Sequence, residues 1–133
     1  MAEDLAPSPA DVRSPGRHRV LVVNHLPELR ELIARLLRRD QHDVATAGDA
    51  GEGLALLGSG PLPCAILVDF LSPESGGPQF VFQARRDPRW SQVPIVAMTG
   101  ARDGQGSESA AARLRKPFRN ADLREVLGRV CGH

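Results

Sequence analysis

Polar residues stand where short apolar runs end: Asn24 and His25 after RVLVV, Asp69 after CAILV, Thr99 at the close of VPIVAMT, and Lys116 after Arg113 to Arg115. Each has an ordinary structural use, since an Asp there caps the next turn, a Thr satisfies a loop amide and a Lys before proline stays solvated. Together they have a chemistry. A carboxylate beside a hydroxyl donor and an ammonium suits a nucleophile that accepts a phosphoryl group, because donor and cation bind the oxygens on which charge accumulates. Among seventeen basic residues Lys116 is the one lysine, the other sixteen being arginine. In so arginine-biased a chain the exception invites a reason.

Bringing such groups together requires strand ends that meet. From Arg19 onward, short apolar runs alternate with amphipathic stretches. RVLVV is followed by Leu29, Leu32, Ile33, Leu36 and Leu37 at helical spacing, with Pro27 suited to the first helical turn. Burial would be worth roughly 1.5–3 kcal/mol for each of these five side chains. VATA (44–47) reads as a weak second strand, and Asp49 with Glu52 as a capping arrangement opening a helix through Leu54, Leu56 and Leu57. CAILVD (64–69) is a continuous apolar run, as in a strand buried on both faces. A proline and glycine turn, SPESGGP, precedes the helical QFVFQARR, which Pro88 ends, and VPIVAMT (93–99) is a fourth strand. GARDGQGSESAA leaves room for a short helix at most before a fifth strand around Arg113 to Arg115. Asn120 is expected to cap a last helix carrying Leu123, Val126, Leu127 and Val130. Five strands alternating with helices imply a parallel sheet covered on both faces, and ligands of such sheets sit beyond the carboxyl ends of the strands. The polar residues occupy those ends.

Composition narrows the class of protein. A chain of 133 residues suits one domain, and 41% hydrophobic content with a net charge of +1 gives no electrostatic pull toward nucleic acid or membrane. Residues 1–18 hold three prolines and few large apolar groups, so a disordered leader is expected, with the folded domain at 19–133. Cys64 and Cys131 show neither metal-type spacing nor a disulfide framework. With no export signal and no apolar run of membrane-spanning length, a cytoplasmic protein is expected.

Four segments resemble one family. VLVVNHLPELRELI is similar to the opening strand and helix of the receiver domain of bacterial two-component response regulators, AILVDFLSPESGG to its phosphoacceptor segment, PIVAMTG to its hydroxyl segment and RLRKPF to its lysine and cis-proline turn. Asp69 follows His25 by 44 residues and Thr99 follows Asp69 by 30, as in the family, and the resemblance covers about residues 19 to 130. It implies a CheY-like, flavodoxin-like (βα)5 three-layer sandwich with strand order 2-1-3-4-5. It further implies Asp69 as phosphoacceptor, Thr99 as switch hydroxyl and Lys116 as the phosphoryl-binding cation. The Leu71 backbone carbonyl would be a metal ligand, Pro73 would shape the loop, Gly100 would keep access to the site open and Pro117 would be cis. A histidine kinase or phosphotransfer protein would be the phosphoryl donor. A stand-alone phosphorelay module is implied, with no enzymatic activity of its own, an unspecified downstream protein partner, and a monomeric or weakly dimeric state.

Departures from the family pattern are as informative. Where the family has two acidic residues that hold Mg²⁺, this chain has Asn24 and His25. Magnesium prefers six oxygen ligands, and each carboxylate lost about 4 Å from a dication forfeits roughly 8 kcal/mol of gross attraction at an effective dielectric near 20. Mg²⁺ binding is therefore expected to be weak or absent. His25 keeps three readings: a plain loop side chain, a cation near Asp69 in place of the metal, or a transition-metal ligand. Thr99 and Lys116 are only 17 apart, about five fewer than is usual in the family, so the helix between the fourth and fifth strands should be shortened or lost. Arg113 stands where the family carries an aromatic switch residue, and a guanidinium cannot enter an apolar pocket at the same cost.

The principal rival is an interaction module of the same fold that never turns over phosphate. Enzyme readings fit worse. A haloacid-dehalogenase-like phosphatase needs a second Asp where Leu71 stands, a flavodoxin needs a Ser/Thr-rich loop where HLPE stands, and GEGLAL lacks the third glycine of a dinucleotide fingerprint.

Overall fold

The computed structural model describes residues 19–70, 72–99, 112–115 and 118–131. Its elements run in order β1 (Arg19–Val23), α1 (Pro27–Arg39), β2 (Asp43–Ala47), α2 (Ala50–Ser59), β3 (Ala65–Asp69), a 3₁₀ turn (Pro73–Ser75), α3 (Gly77–Arg86), β4 (Ile95–Thr99), β5 (Ala112–Arg115) and α4 (Asn120–Cys131). All strand pairings are parallel, and the sheet order is β2-β1-β3-β4-β5. This is the expected flavodoxin-like order. Every strand therefore ends on one edge of the sheet. The segment between β4 and β5, where a shortened or missing helix was expected, lies outside the described residues, as does the expected leader at 1–18.

Strand alternation builds two cores. Val20, Val22, Ala65, Leu67, Val96, Met98 and Leu114 pack with Ile33 and Leu37 of α1 and with Leu123, Val126 and Leu127 of α4. Leu21, Val23, Ile66, Val68 and Ile95 pack on the other face with Leu57 of α2 and with Phe80, Val81 and Ala84 of α3. The result is the expected three-layer sandwich. All five residues of β3 are buried, as its unbroken apolar run requires of a central strand. β2, built from small residues at the sheet edge, buries only Ala47.

Helix starts follow their sequence signals in part. Asp49 Oδ1 accepts the Glu52 N–H at 2.9 Å, while the Glu52 carboxylate reaches back to the Gly48 N–H, so the expected capping arrangement is present. At α4 the cap differs from expectation. Asn120 is the first helical residue, and the Asp122 carboxylate accepts the Arg119 N–H at 2.8 Å. Of the five apolar residues expected to bury on α1, Leu32 is 47% exposed, because it lies off the stripe that Leu29, Ile33 and Leu37 present to the sheet.

The cysteines require a larger correction. Cys64, just before β3, and Cys131, ending α4, form a disulfide with Cα atoms 5.5 Å apart across 67 residues of sequence. A spacing that long carries no signature, and only the packing of α4 beneath β3 brings the pair together. Disulfides persist in oxidising compartments and are rare in the cytosol. Among the described residues no helix is long and apolar enough to cross a membrane.

Candidate functional site

At the carboxyl edge of the sheet, β1, β3 and β4 deliver Asn24, Asp69 and Thr99. Val23 pairs with Val68 and Asp69 with Met98, so Asn24 follows β1 beside Asp69, and Thr99 lies one residue beyond the Met98 partner. All three are buried, at 0%, 1% and 0% exposure. Burying polar groups costs free energy unless they are partnered, so each atom needs an account.

Asn24 has most of one. Its N–H donates to the Ala47 carbonyl at 3.0 Å, its carbonyl accepts from Arg30 Nη1 at 2.9 Å, and its Oδ1 accepts the Leu26 N–H at 2.9 Å. The last bond is an Asx turn that starts α1, and it fixes the amide orientation, because a backbone N–H can be met only by the side-chain oxygen. The Nδ2 group, turned the other way, is buried without a hydrogen-bond partner among the described residues. Thr99 Oγ1 is in the same condition. Each such orphan costs on the order of 1–3 kcal/mol, which an arriving acceptor would recover.

Asp69 is held by a residue that the sequence did not single out. Ser75 Oγ, itself fully buried, donates to Asp69 Oδ2 at 2.8 Å and accepts the His25 N–H at 2.8 Å. Its position comes from the 3₁₀ turn, in which the Ser75 N–H donates to the Ser72 carbonyl and the Gly76 N–H to the Pro73 carbonyl. Pro73 thus opens the turn that it was expected to shape. Gly76 leaves it with φ of 68°, a left-handed conformation that glycine adopts without strain. A serine in SPESGG gave no advance sign of pointing inward. Two glycines after it, marking a tight return of the chain, were the available clue.

Gly77 sets how closely α3 approaches β3. A Cβ there would lie 2.5 Å from the Asp69 carbonyl oxygen, and that oxygen belongs to backbone held in the sheet. Gly77→Ala is expected to push α3 off the end of β3 and cost about 1–3 kcal/mol, read as a lower midpoint in urea unfolding. An unchanged midpoint would mean that the contact yields freely.

His25 turns its side chain outward, and its backbone N–H, not its ring, enters the site. The Glu74 carboxyl nearby is held below the usual range by its own backbone N–H, then by the Ser72 hydroxyl, with His25 adding an electrostatic contribution. Lys116, Leu71, Gly100 and Pro117 lie outside the described residues. Arg113 pairs in register with Ala97 in β5.

The described residues do not fit magnesium. Asn24 Oδ1 is committed to a backbone amide, its Nδ2 is a donor, the His25 ring is exposed, and Asp69 Oδ2 already accepts a hydroxyl proton. No group of three or more His, Cys, Asp and Glu residues among those described converges on a common point.

Comparison with known proteins places this edge in context. No family model matches the chain. The two-component response regulator ORR5 of Oryza sativa subsp. japonica is 28% identical over 120 residues, spanning 86% of this chain and 90% of its own length. A putative response regulator from Chloroflexus aurantiacus superposes with a TM-score of 0.79 at 25% identity, covering 88% of this chain and 99% of that one. For the chemotaxis protein CheY4 of Vibrio cholerae the TM-score is 0.78 at 26% identity, over 86% of this chain and 98% of that one. The chain is a CheY-like receiver domain of the two-component response regulators. In this receiver the carboxylate at the end of β3 is gripped by a serine hydroxyl, and the residues after β1 supply an amide and a backbone N–H.

Proposed function

We propose that this receiver is a phosphoacceptor module in which Asp69 takes a phosphoryl group from a histidine kinase or a histidine phosphotransfer protein, and a downstream protein reads the outcome. The observation that carries the reading is Asp69 itself: among the described residues it is the one buried carboxylate, and it closes the central strand at the sheet edge that also holds the orphaned Asn24 Nδ2 and Thr99 Oγ1. A carboxylate oxygen attacks phosphorus, the bond to the donor breaks, and the donor departs with its electron pair. Thr99 and Lys116 bind the phosphoryl oxygens, and the Asn24 amide offers a further donor. Mg²⁺ takes weak part or none, the module has no enzymatic activity of its own, and it works in the cytoplasm as a monomer or weak homodimer without contacting nucleic acid or membrane.

The misfit to magnesium favours a second reading, a pseudo-receiver that binds its partner constitutively and never carries phosphate. Acetyl phosphate with Mg²⁺ separates the two. The first reading expects the intact mass to rise by one phosphoryl group and the gain to vanish in Asp69→Asn, whereas an unmodified wild-type chain would support the second.

A further inference from the structure

Ser75 lies at the centre of a short hydrogen-bond chain whose direction is fixed by chemistry. An amide N–H can only donate and an ionised carboxylate can only accept, so the His25 N–H must point at Ser75 Oγ and the hydroxyl proton must point at Asp69 Oδ2. A hydroxyl that accepts one hydrogen bond donates the next more strongly, and the low dielectric of a fully buried position strengthens both. Three features hold Ser75 in place: the amide that precedes α1, the 3₁₀ turn behind it, and the left-handed Gly76 after it. None of these depends on a ligand.

We propose that Ser75 is the positioning residue of the Asp69 nucleophile, its hydroxyl supplying to Oδ2 the fixed positive pole that a bound dication would otherwise supply. The inference rests on the reading of Asp69 as phosphoacceptor. One carboxylate oxygen is pinned, and the plane of the carboxylate is thereby set for attack through the other. Orientation of this kind is what a reacting group gains most from, because a carboxylate free to rotate spends little time aligned with phosphorus. The proposal also gives His25 a use independent of its imidazole, since the backbone N–H is the part that serves the site.

The test uses the full chain, with acetyl phosphate as donor and two variants. Ser75→Ala removes the hydroxyl; Ser75→Cys keeps nearly the same volume with only a weak donor. Both are expected to label about tenfold more slowly than the wild type while melting cooperatively. The Asp69 carboxylate bands, isolated by infrared difference between ¹³C-aspartate-labelled protein and the same protein carrying Asp69→Asn, should shift in both, a signature that a merely structural serine would not move. Labelling at the wild-type rate, or carboxylate bands unchanged in both variants, would overturn the role of Ser75 and leave Asp69 as phosphoacceptor. No labelling of the wild type would overturn the phosphoacceptor reading, and the role of Ser75 with it.

Discussion

With Asn24 and His25 both replaced by aspartate, the chain is expected to bind Mg²⁺ at least about a hundredfold more tightly than the wild type. Each carboxylate that comes within about 4 Å of a dication contributes roughly 8 kcal/mol of gross attraction at an effective dielectric near 20, and dehydration of the ion and the acids removes most of it. A hundredfold gain needs only about 2.7 kcal/mol to survive. The structure adds a cost that makes the prediction sharper. Asn24 is fully buried with Oδ1 on the Leu26 N–H, so the new anionic oxygen would take the place of Nδ2 beside Asp69. In chelator the variant should therefore melt below the wild type, through repulsion between buried carboxylates, and saturating Mg²⁺ should restore it. Titration calorimetry and melts with and without metal check both halves. Equal affinity in variant and wild type would contradict the expectation.

Reduction of the Cys64–Cys131 bond is the second large effect. The bond closes 67 residues, for which the chain-entropy account gives about 4 kcal/mol, with engineered cases delivering less. It also fastens the last residue of α4 to the approach to β3, and α4 covers one face of the sheet through Leu123, Val126 and Leu127. Both cysteines are only half-buried, so a small reductant reaches them. A loss of about 2–4 kcal/mol is expected, which for a domain of this size lowers Tm by about 10 °C or more. The Cys64→Ser/Cys131→Ser double variant should match the reduced wild type and ignore reductant. A reductant-insensitive wild type would remove the bond from the account.

The sheet was legible because its strands differ in the way their positions demand. The unbroken AILVD run announced a strand buried on both faces, and the VATA run announced a weaker strand, which the fold places at the edge. Asp69 was legible for the same reason: a charge at the end of such a run has nowhere to go but the rim. Asn24 was legible as a position but not as a geometry, since the Asx turn that orients its amide depends on where α1 begins. Ser75 was hidden because a proline and glycine turn does not reveal which of its polar side chains faces inward. The disulfide was hidden because it joins elements that only the finished fold makes neighbours.

The central claim is that Asp69 is the atom-level destination of the phosphoryl group. Borohydride reduces an acyl phosphate to an alcohol and so marks the carboxyl that carried it. After treatment with acetyl phosphate and then borohydride, peptide mapping should find the reduced residue at Asp69 and the mark absent from Asp69→Asn. A mark on another residue, or none on a chain shown to be folded, would contradict the account.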